Sequence, residues 1–162
     1  MKVRAARYAD AVTLYQWANQ PLVRQQAFSQ CAIAWYDHLY WFYDCLLAPD
    51  RQIWLGVADG QLVGQVRFDT DIDCFWVDIH LDNAFRGKGL AAPLLREAMV
   101  KQRLLRQAAP SCQLLNLAES SLRFCAYVKL TNSASCRMFE KVGYSLVALE
   151  LVQQQWCWRY EL

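Results

Sequence analysis

Between a strand-like run, Phe75-Trp76-Val77-Asp78-Ile79-His80-Leu81, and a helical pattern continuing to about Arg106 stands the segment Arg86-Gly87-Lys88-Gly89-Leu90-Ala91. A strand that ends in a glycine-rich turn and feeds a helix N-terminus can gather an anion. Successive backbone N–H groups converge on it beside the positive end of the helix dipole. Gly87 and Gly89 lack the Cβ atoms that would hold a ligand off the backbone, and Arg86 and Lys88 add positive charge. The chemistry prescribed is capture of a phosphate or diphosphate.

Spacing separates three cradles of this kind. A nucleotide-hydrolysing P-loop requires G-x-x-x-x-G-K-S/T, and no such run exists in the chain. Gly87-Lys88-Gly89-Leu90-Ala91-Ala92 matches the dinucleotide pattern G-x-G-x-x-A. However, Asp82-Asn83-Ala84-Phe85 intervene after the strand, hairpin-like runs precede it, and the nearest acidic residue beyond the helix is Glu119. The third match is Arg86-x-x-Gly89-x-Ala91, which reads as Q/R-x-x-G-x-G/A. A second block, Asn132-Ser133-Ala134-Ser135-Cys136-Arg137-Met138-Phe139-Glu140-Lys141-Val142-Gly143-Tyr144, reads as N-x-x-A/S-x-x-x-Y/F-E-K-x-G-F/Y. In this order, with a strand-like Phe124-Cys125-Ala126-Tyr127-Val128 leading into the second block, the chain resembles the GNAT superfamily of acyl-CoA N-acyltransferases along nearly its whole length.

That resemblance implies an α/β fold with a mixed, largely antiparallel sheet flanked by helices, and acetyl-CoA as cofactor. Its diphosphate would rest on Arg86, Gly87, Lys88, Gly89, Leu90 and Ala91. Its pantetheine arm would lie along the strand end at Ile79 and Leu81, with Asn132, Ser135 and Phe139 as further cofactor contacts. Asn132 also reads as a helix cap and Phe139 as a core residue.

Acetyl transfer to an amine requires a neutral amine, a donor for the developing oxyanion and a proton for the departing thiolate. Strand alternation puts Asp78 and His80 on one face, opposite Val77, Ile79 and Leu81. His80 is the candidate base, because an unperturbed imidazole titrates at about 6.5. Asp78 could orient it or relay a proton. Ordinary polar residues at a solvent-facing strand end read equally from the same pattern. Many relatives carry tyrosine where this chain has Phe139, so the proton donor falls to Ser135, Tyr144 or a water. A covalent route through Cys136 has no histidine placed beside it by any local motif.

Three N-terminal segments carry a narrower resemblance: Trp17-Ala18-Asn19-Gln20-Pro21-Leu22-Val23-Arg24, Ile33-Ala34-Trp35-Tyr36-Asp37-His38-Leu39-Tyr40-Trp41-Phe42, and Gly64-Gln65-Val66-Arg67-Phe68-Asp69. They are similar to the pattern of nucleotide-4-amino-sugar N-acetyltransferases of the pseudaminic acid pathway type, with Ala18 standing where that pattern has arginine. The resemblance implies a primary amine on a nucleotide-linked amino sugar as acceptor, with Trp17, Asn19, Arg24, His38 and Arg67 as its contacts. Tryptophans can stack on flat base and sugar faces, and Arg24 or Arg67 can pair a diphosphate. Packing explains Trp17, Trp35, Trp41 and His38 as well. A protein N-terminal acetyltransferase and a non-catalytic acyl-CoA-binding module remain as alternatives.

The elements that must position these residues follow from pattern. The sequence predicts a strand over 2–6, a helix from Asp10 to Asn19 broken by Pro21, and a helix from Ala34 to Leu47. A hairpin of 52–58 and 62–68 turns at Asp59-Gly60, and a strand runs from Cys74 to Leu81. The helix after Gly87 carries Leu90, Ala91, Leu94, Leu95 and Ala98 on one face. After a polar connection over 107–119 of open shape come the strand near Phe124, a helix from Asn132 to Gly143, and strands over 145–152 and 154–160.

At 162 residues with 56% hydrophobic content, the chain reads as a single acyl-CoA N-acyltransferase domain over 1–162. A net charge of only +2, with its basic residues dispersed, argues against nucleic acid as partner. Seven cysteines without C-x-x-C pairs predict no metal site and no disulfide framework, but small reduced core residues. No apolar run of about 18 residues suggests a membrane span. The expectation is a cytoplasmic protein whose partner is a small-molecule amine, with a homodimer allowed.

Overall fold

The computed structural model describes residues 1–108 and 123–162. Its elements run β1 (Lys2–Ala5), α1 (Ala11–Ala18), α2 (Pro21–Gln26), α3 (Trp35–Leu47), β2 (Arg51–Ala58), β3 (Gln61–Thr70), β4 (Cys74–Leu81) and α4 (Ala91–Gln107). After the undescribed stretch come β5 (Arg123–Lys129), α5 (Ser133–Val142), β6 (Ser145–Val152) and β7 (Gln155–Glu161). Most of the expected connection over 107–119 lies outside the described residues. Among those described, seven strands form one sheet in the order β1-β2-β3-β4-β5-β7-β6. Every pair is antiparallel except β4–β5. The mixed, largely antiparallel sheet expected from sequence is the one observed.

Local chemistry sets the boundaries. Asp59 (φ 50°) and Gly60 (φ 76°) both take positive φ, the geometry of a two-residue hairpin turn, and they join β2 to β3. Asn132 Oδ1 accepts from the Ser135 amide at 3.1 Å to open α5. Gly143, at φ 115°, closes it by donating to Phe139 and Glu140. Asp10 does not cap α1 with its side chain as expected. Its buried carboxylate takes both Nη atoms of Arg4, at 2.7 and 2.8 Å, and the Arg7 amide at 2.8 Å. These donors hold the Asp10 carboxyl below the usual carboxylate range. Pro21, read as a breaker, instead occupies the first turn of a separate short helix, α2, where its missing N–H costs nothing.

The sheet separates two apolar clusters. On one face Val66, Phe68, Phe75, Val77, Leu81, Phe124, Ala126 and Val128 pack with Leu94, Leu95 and Ala98 of α4 and Phe139 of α5. On the other, Ile53 and Leu55 pack with Leu14 and Trp17 of α1 and Phe42 and Cys45 of α3. Coverage on both faces explains why the centres of β2 and β3 are unbroken buried runs. Among the described residues no helix is long and apolar enough to cross a membrane.

The feature that positions the site is the parallel pair. β4 and β5 are in register only at Cys74–Arg123, Phe75–Phe124 and Trp76–Cys125. Beyond this closed end, marked by the stacked rings of Trp76 and Tyr127 at 4.6 Å, the two strands part. The stretch Val77–Leu81 is left with a ladder partner only on its β3 side. The fork opens toward the Gly87–Gly89 turn.

Candidate active site

At the open end of the fork, Leu81 leads into a short 3-10 turn, Asn83–Phe85, and then into the glycine turn and α4. Asp82 Oδ1 accepts from the Ala84 amide at 2.8 Å and caps the 3-10 turn. Gly87 and Gly89 hold φ of 72° and 73°, a region where glycine carries no penalty. A Cβ at either position would meet nothing within 4 Å. The glycines are thus required by backbone conformation, and the space beside them is open for a ligand. Among the described residues the amides of Gly87, Gly89 and Leu90 have no hydrogen-bond acceptor. With the first amides of α4 they form a concave set of free donors at a helix N-terminus.

A cavity of about 260 Å³ lies against this turn, bounded by Leu81, Gly87, Gly89, Ala91, Arg137 and Lys141, among others. Arg137 and Lys141 occupy one face of α5, four residues apart, and bring two cations to the cradle. Neither was singled out from sequence. The signal lay in the second motif block, where the cap at Asn132 fixes the helical phase and puts both on the face shared with Ala134.

Two cations expected at the cradle do other work. Arg86 turns back, its Nε donating to the Leu81 carbonyl at 3.0 Å and its Nη2 to Gln20 Oε1 at 2.7 Å, so it braces the turn from behind. The Lys88 ammonium sits 5.2 Å from the centre of the Phe85 ring.

On the opposite sheet face, β4 presents Asp78 and His80 as the alternation predicted. His80 is half-buried, with the edge of Trp17 against its ring at 5.8 Å. Its Nε2 is shielded from solvent and has no partner among the described residues. Burial, reinforced by the positive charge of Arg86, Arg67 and Arg24 and only partly opposed by Asp78, lowers the imidazole from 6.5 to about 4. It is therefore neutral throughout the neutral range, and the premise of an unperturbed imidazole does not hold.

Asp78 does not orient His80. Its carboxylate lies 3.6 Å from Arg67, which stands directly across β3 and also donates to Asp69 at 3.1 Å. The Arg67 guanidinium lies 5.5 Å from the Trp41 ring centre. His80, Trp17, Arg67 and Trp41 thus share one side of the fork.

Other expected contacts lie elsewhere. His38 is fully buried, stacked on Phe42, with Nε2 3.1 Å from the Ala11 carbonyl, so it builds the N-terminal core rather than facing an acceptor. Asn19 is committed to the backbone of Ile33 and Tyr15. Arg24 donates to the carbonyls of Ala18, Ser29 and Cys31, which leaves its guanidinium holding a loop.

Tyr144, expected as a proton donor, is buried between α4 and α5. Its hydroxyl faces Met99 Sδ at 3.7 Å, and burial pushes the phenol far above its ordinary range. Phe139 is buried against Tyr144 and Tyr160, a core residue rather than a cofactor contact. Ser135 is half-buried in the first turn of α5, and Asn132 spends its carbonyl oxygen on the cap. Cys136 has no histidine partner among the described residues, which is consistent with direct rather than covalent transfer.

A search of the curated proteins found no match to the sequence. Solved structures share the fold. A ribosomal-protein-alanine N-acetyltransferase from Brucella melitensis is 15% identical over 100% of this chain and 99% of its own, with a TM-score of 0.78. An aminoglycoside acetyltransferase in complex with coenzyme A is 15% identical over 99% and 93%, with a TM-score of 0.77. A spermidine N-acetyltransferase from Vibrio cholerae, in complex with coenzyme A and spermine, is 15% identical over 99% and 94%, with a TM-score of 0.75. The family model for the acetyltransferase (GNAT) family matches residues 11–144, most of the chain and both motif blocks. The chain belongs to the acetyltransferase (GNAT) family.

Proposed function

We propose that the amine this N-acetyltransferase acetylates is the 4-amino group of a nucleotide-linked amino-deoxy sugar. The coarser reaction, acetyl transfer from acetyl-CoA to an amine, is that of the family. The observation that carries the finer reading is the group on one face of the fork: the Trp17 edge against His80, and Arg67 over Trp41. Aromatic rings beside a guanidinium suit a ligand that combines flat apolar faces with a diphosphate.

The residues present fit acetyl-CoA. Free amides on a positive-φ turn, with Arg137 and Lys141 beside them, would hold the diphosphate, and the unpaired edge of Val77–Leu81 would hold the amides of the arm. When bound, acetyl-CoA supplies an activated acyl thioester. The chain's part is to place and deprotonate the amine. His80, neutral and with an unpartnered Nε2 at the strand end, can accept the amine's proton. Trp17, packed edge-on against the imidazole, fixes the ring. Arg67 is restrained by Asp69 and Asp78, so its geometry is set before an acceptor arrives.

Thiol release from acetyl-CoA tests the reading with a panel of a UDP-4-amino-4,6-dideoxy sugar, an aminoglycoside, a polyamine and ribosomal-protein N-terminal peptides. Turnover confined to the nucleotide sugar is expected. Preferred turnover of the peptides would replace the proposal with protein N-terminal acetylation.

A further inference from the structure

Residues 17–33 form a strap that spans the mouth of the fork. It is braced internally: Asn19 Oδ1 accepts from the Ile33 amide at 2.8 Å, and Arg24 Nε donates to the Ala18 carbonyl at 2.6 Å. On the β5–β7 side it is moored by Lys129 Nζ, which donates to the Ala27 carbonyl at 2.6 Å and the Gln25 carbonyl at 3.1 Å. Gln155 Nε2 adds a bond to the Phe28 carbonyl at 2.9 Å. On the β4 side Trp17 packs edge-on against His80, and among the described residues a single side chain makes the hydrogen-bonded connection. Gln20 Nε2 donates to Asp82 Oδ2 at 3.1 Å, and Gln20 Oε1 accepts from Arg86 Nη2 at 2.7 Å.

Those two partners are the ends of the turn that delivers Gly87. Asp82 caps that turn through Ala84, and Arg86 ties it to the Leu81 carbonyl. A primary amide suits this place because it presents a donor to a carboxylate and an acceptor to a guanidinium at once. A carboxylate there would repel Asp82, an ammonium would repel Arg86, and an aliphatic chain would bind neither. Gln20 also lies between Trp17, whose ring packs edge-on against His80, and the start of α2, whose Val23 and Arg24 amides donate to the Gln20 carbonyl. Its backbone sets the strap while its side chain grips the cofactor turn.

We propose that Gln20 is a positioning residue that couples occupation of the 87–91 turn by the acyl donor to the ordering of the 17–33 strap over the acceptor side. Coupling through a contiguous pair of charge-assisted hydrogen bonds is reciprocal, so an ordered strap also favours donor binding. The inference does not depend on which amine is acetylated.

Hydrogen exchange read by mass spectrometry on the full chain, with coenzyme A as the probe, tests it without any acceptor. In the wild type, coenzyme A is expected to slow exchange both in 87–91 and in 17–33. In Gln20→Leu, protection of 87–91 persists and that of 17–33 is lost, with the coenzyme A Kd raised by about fivefold, the lower end of typical coupling factors. A strap that coenzyme A never protects in the wild type, or protects equally in Gln20→Leu, overturns the proposal. Coenzyme A that leaves 87–91 unprotected in the wild type would instead refute the cradle itself. Should Gln20→Leu fail to fold, Gln20→Glu keeps the acceptor for Arg86 and replaces the donor to Asp82 by repulsion. Loss of strap protection in that variant supports the coupling, and unchanged protection overturns it.

Discussion

A Cβ on Gly64 would fall 2.6 Å from the carbonyl oxygen of His80 and 2.7 Å from Leu81 Cδ2, so the absence of a side chain on β3 lets the His80 end of β4 close against its neighbour. The two strands pair there as Gly64–Leu81 and Gln65–His80. Gly64→Ala must push that strand end away, with backbone rather than a flexible side chain in the path. A stability loss of about 1–3 kcal/mol is expected, the usual range for overpacking. A fall in kcat should accompany it, while distant hairpin substitutions leave kcat alone. Thermal unfolding and steady-state kinetics on the same preparation check this, and an unchanged kcat would remove Gly64 from the positioning of His80.

His80 links stability to pH. Its folded pKa of about 4 lies below the unfolded value of 6.5, so between these two the unfolded chain binds more protons. Stability therefore rises with pH through this window and declines as pH falls from about 6.5 toward 4. The shift corresponds to about 3–4 kcal/mol at most. Buried His38, also lowered, acts in the same direction. Urea unfolding of wild type and His80→Gln at several pH values should show a shallower acid slope in the variant. Its kcat should fall on the order of 100-fold, as for loss of a general base, with coenzyme A affinity held. Parallel acid slopes would contradict the burial of the ring, and an unchanged kcat would dismiss His80 as base.

Tyr144→Phe should leave kcat within about twofold and stability within about 1 kcal/mol, because among the described residues the hydroxyl meets only Met99 Sδ. Initial-rate kinetics decide this, and a large loss of kcat would restore the phenol as proton donor.

Gly60 and Gly89 form a matched pair, with φ of 76° and 73° and open space where a Cβ would stand. Alanine at either position adds about 1–2 kcal/mol of left-handed strain. Gly89→Ala should also raise the coenzyme A Kd by about tenfold or more, the equivalent of that strain acting on the bound turn. Gly60→Ala should leave it unchanged. Calorimetric titration with coenzyme A separates the two, and equal affinities would show that the 87–91 turn need not keep its conformation to bind.

Local signals carried the fold far. Alternation, capping residues and the Asp59-Gly60 turn act within a few residues, so strand and helix bounds were readable to within a position or two at most ends. The cradle was equally readable, because positive φ, free amides and a helix start are properties of one short segment. α2 escaped because Pro21 serves both to end one helix and to begin the next, and only docking of the strap selects between them.

The side chains that gather around the fork were decided by tertiary structure. Arg86 and Lys88 looked like ligands because they lie beside the glycines, but Gln20, brought in by packing, claims the first, and the nearby Phe85 ring of the same turn takes the second. Arg137 and Lys141 take their place from a helix far along the chain. Tyr144 and His38 had the right chemistry for a site and were removed from it by burial, a quantity that depends on every neighbouring layer at once. His80 kept its place because strand alternation is local, while its neutral state came from the apolar enclosure and the surrounding arginines. The physical reason is one of range: backbone conformation is set by adjacent residues, whereas desolvation and charge pairing are set by whatever the fold brings within a few ångströms.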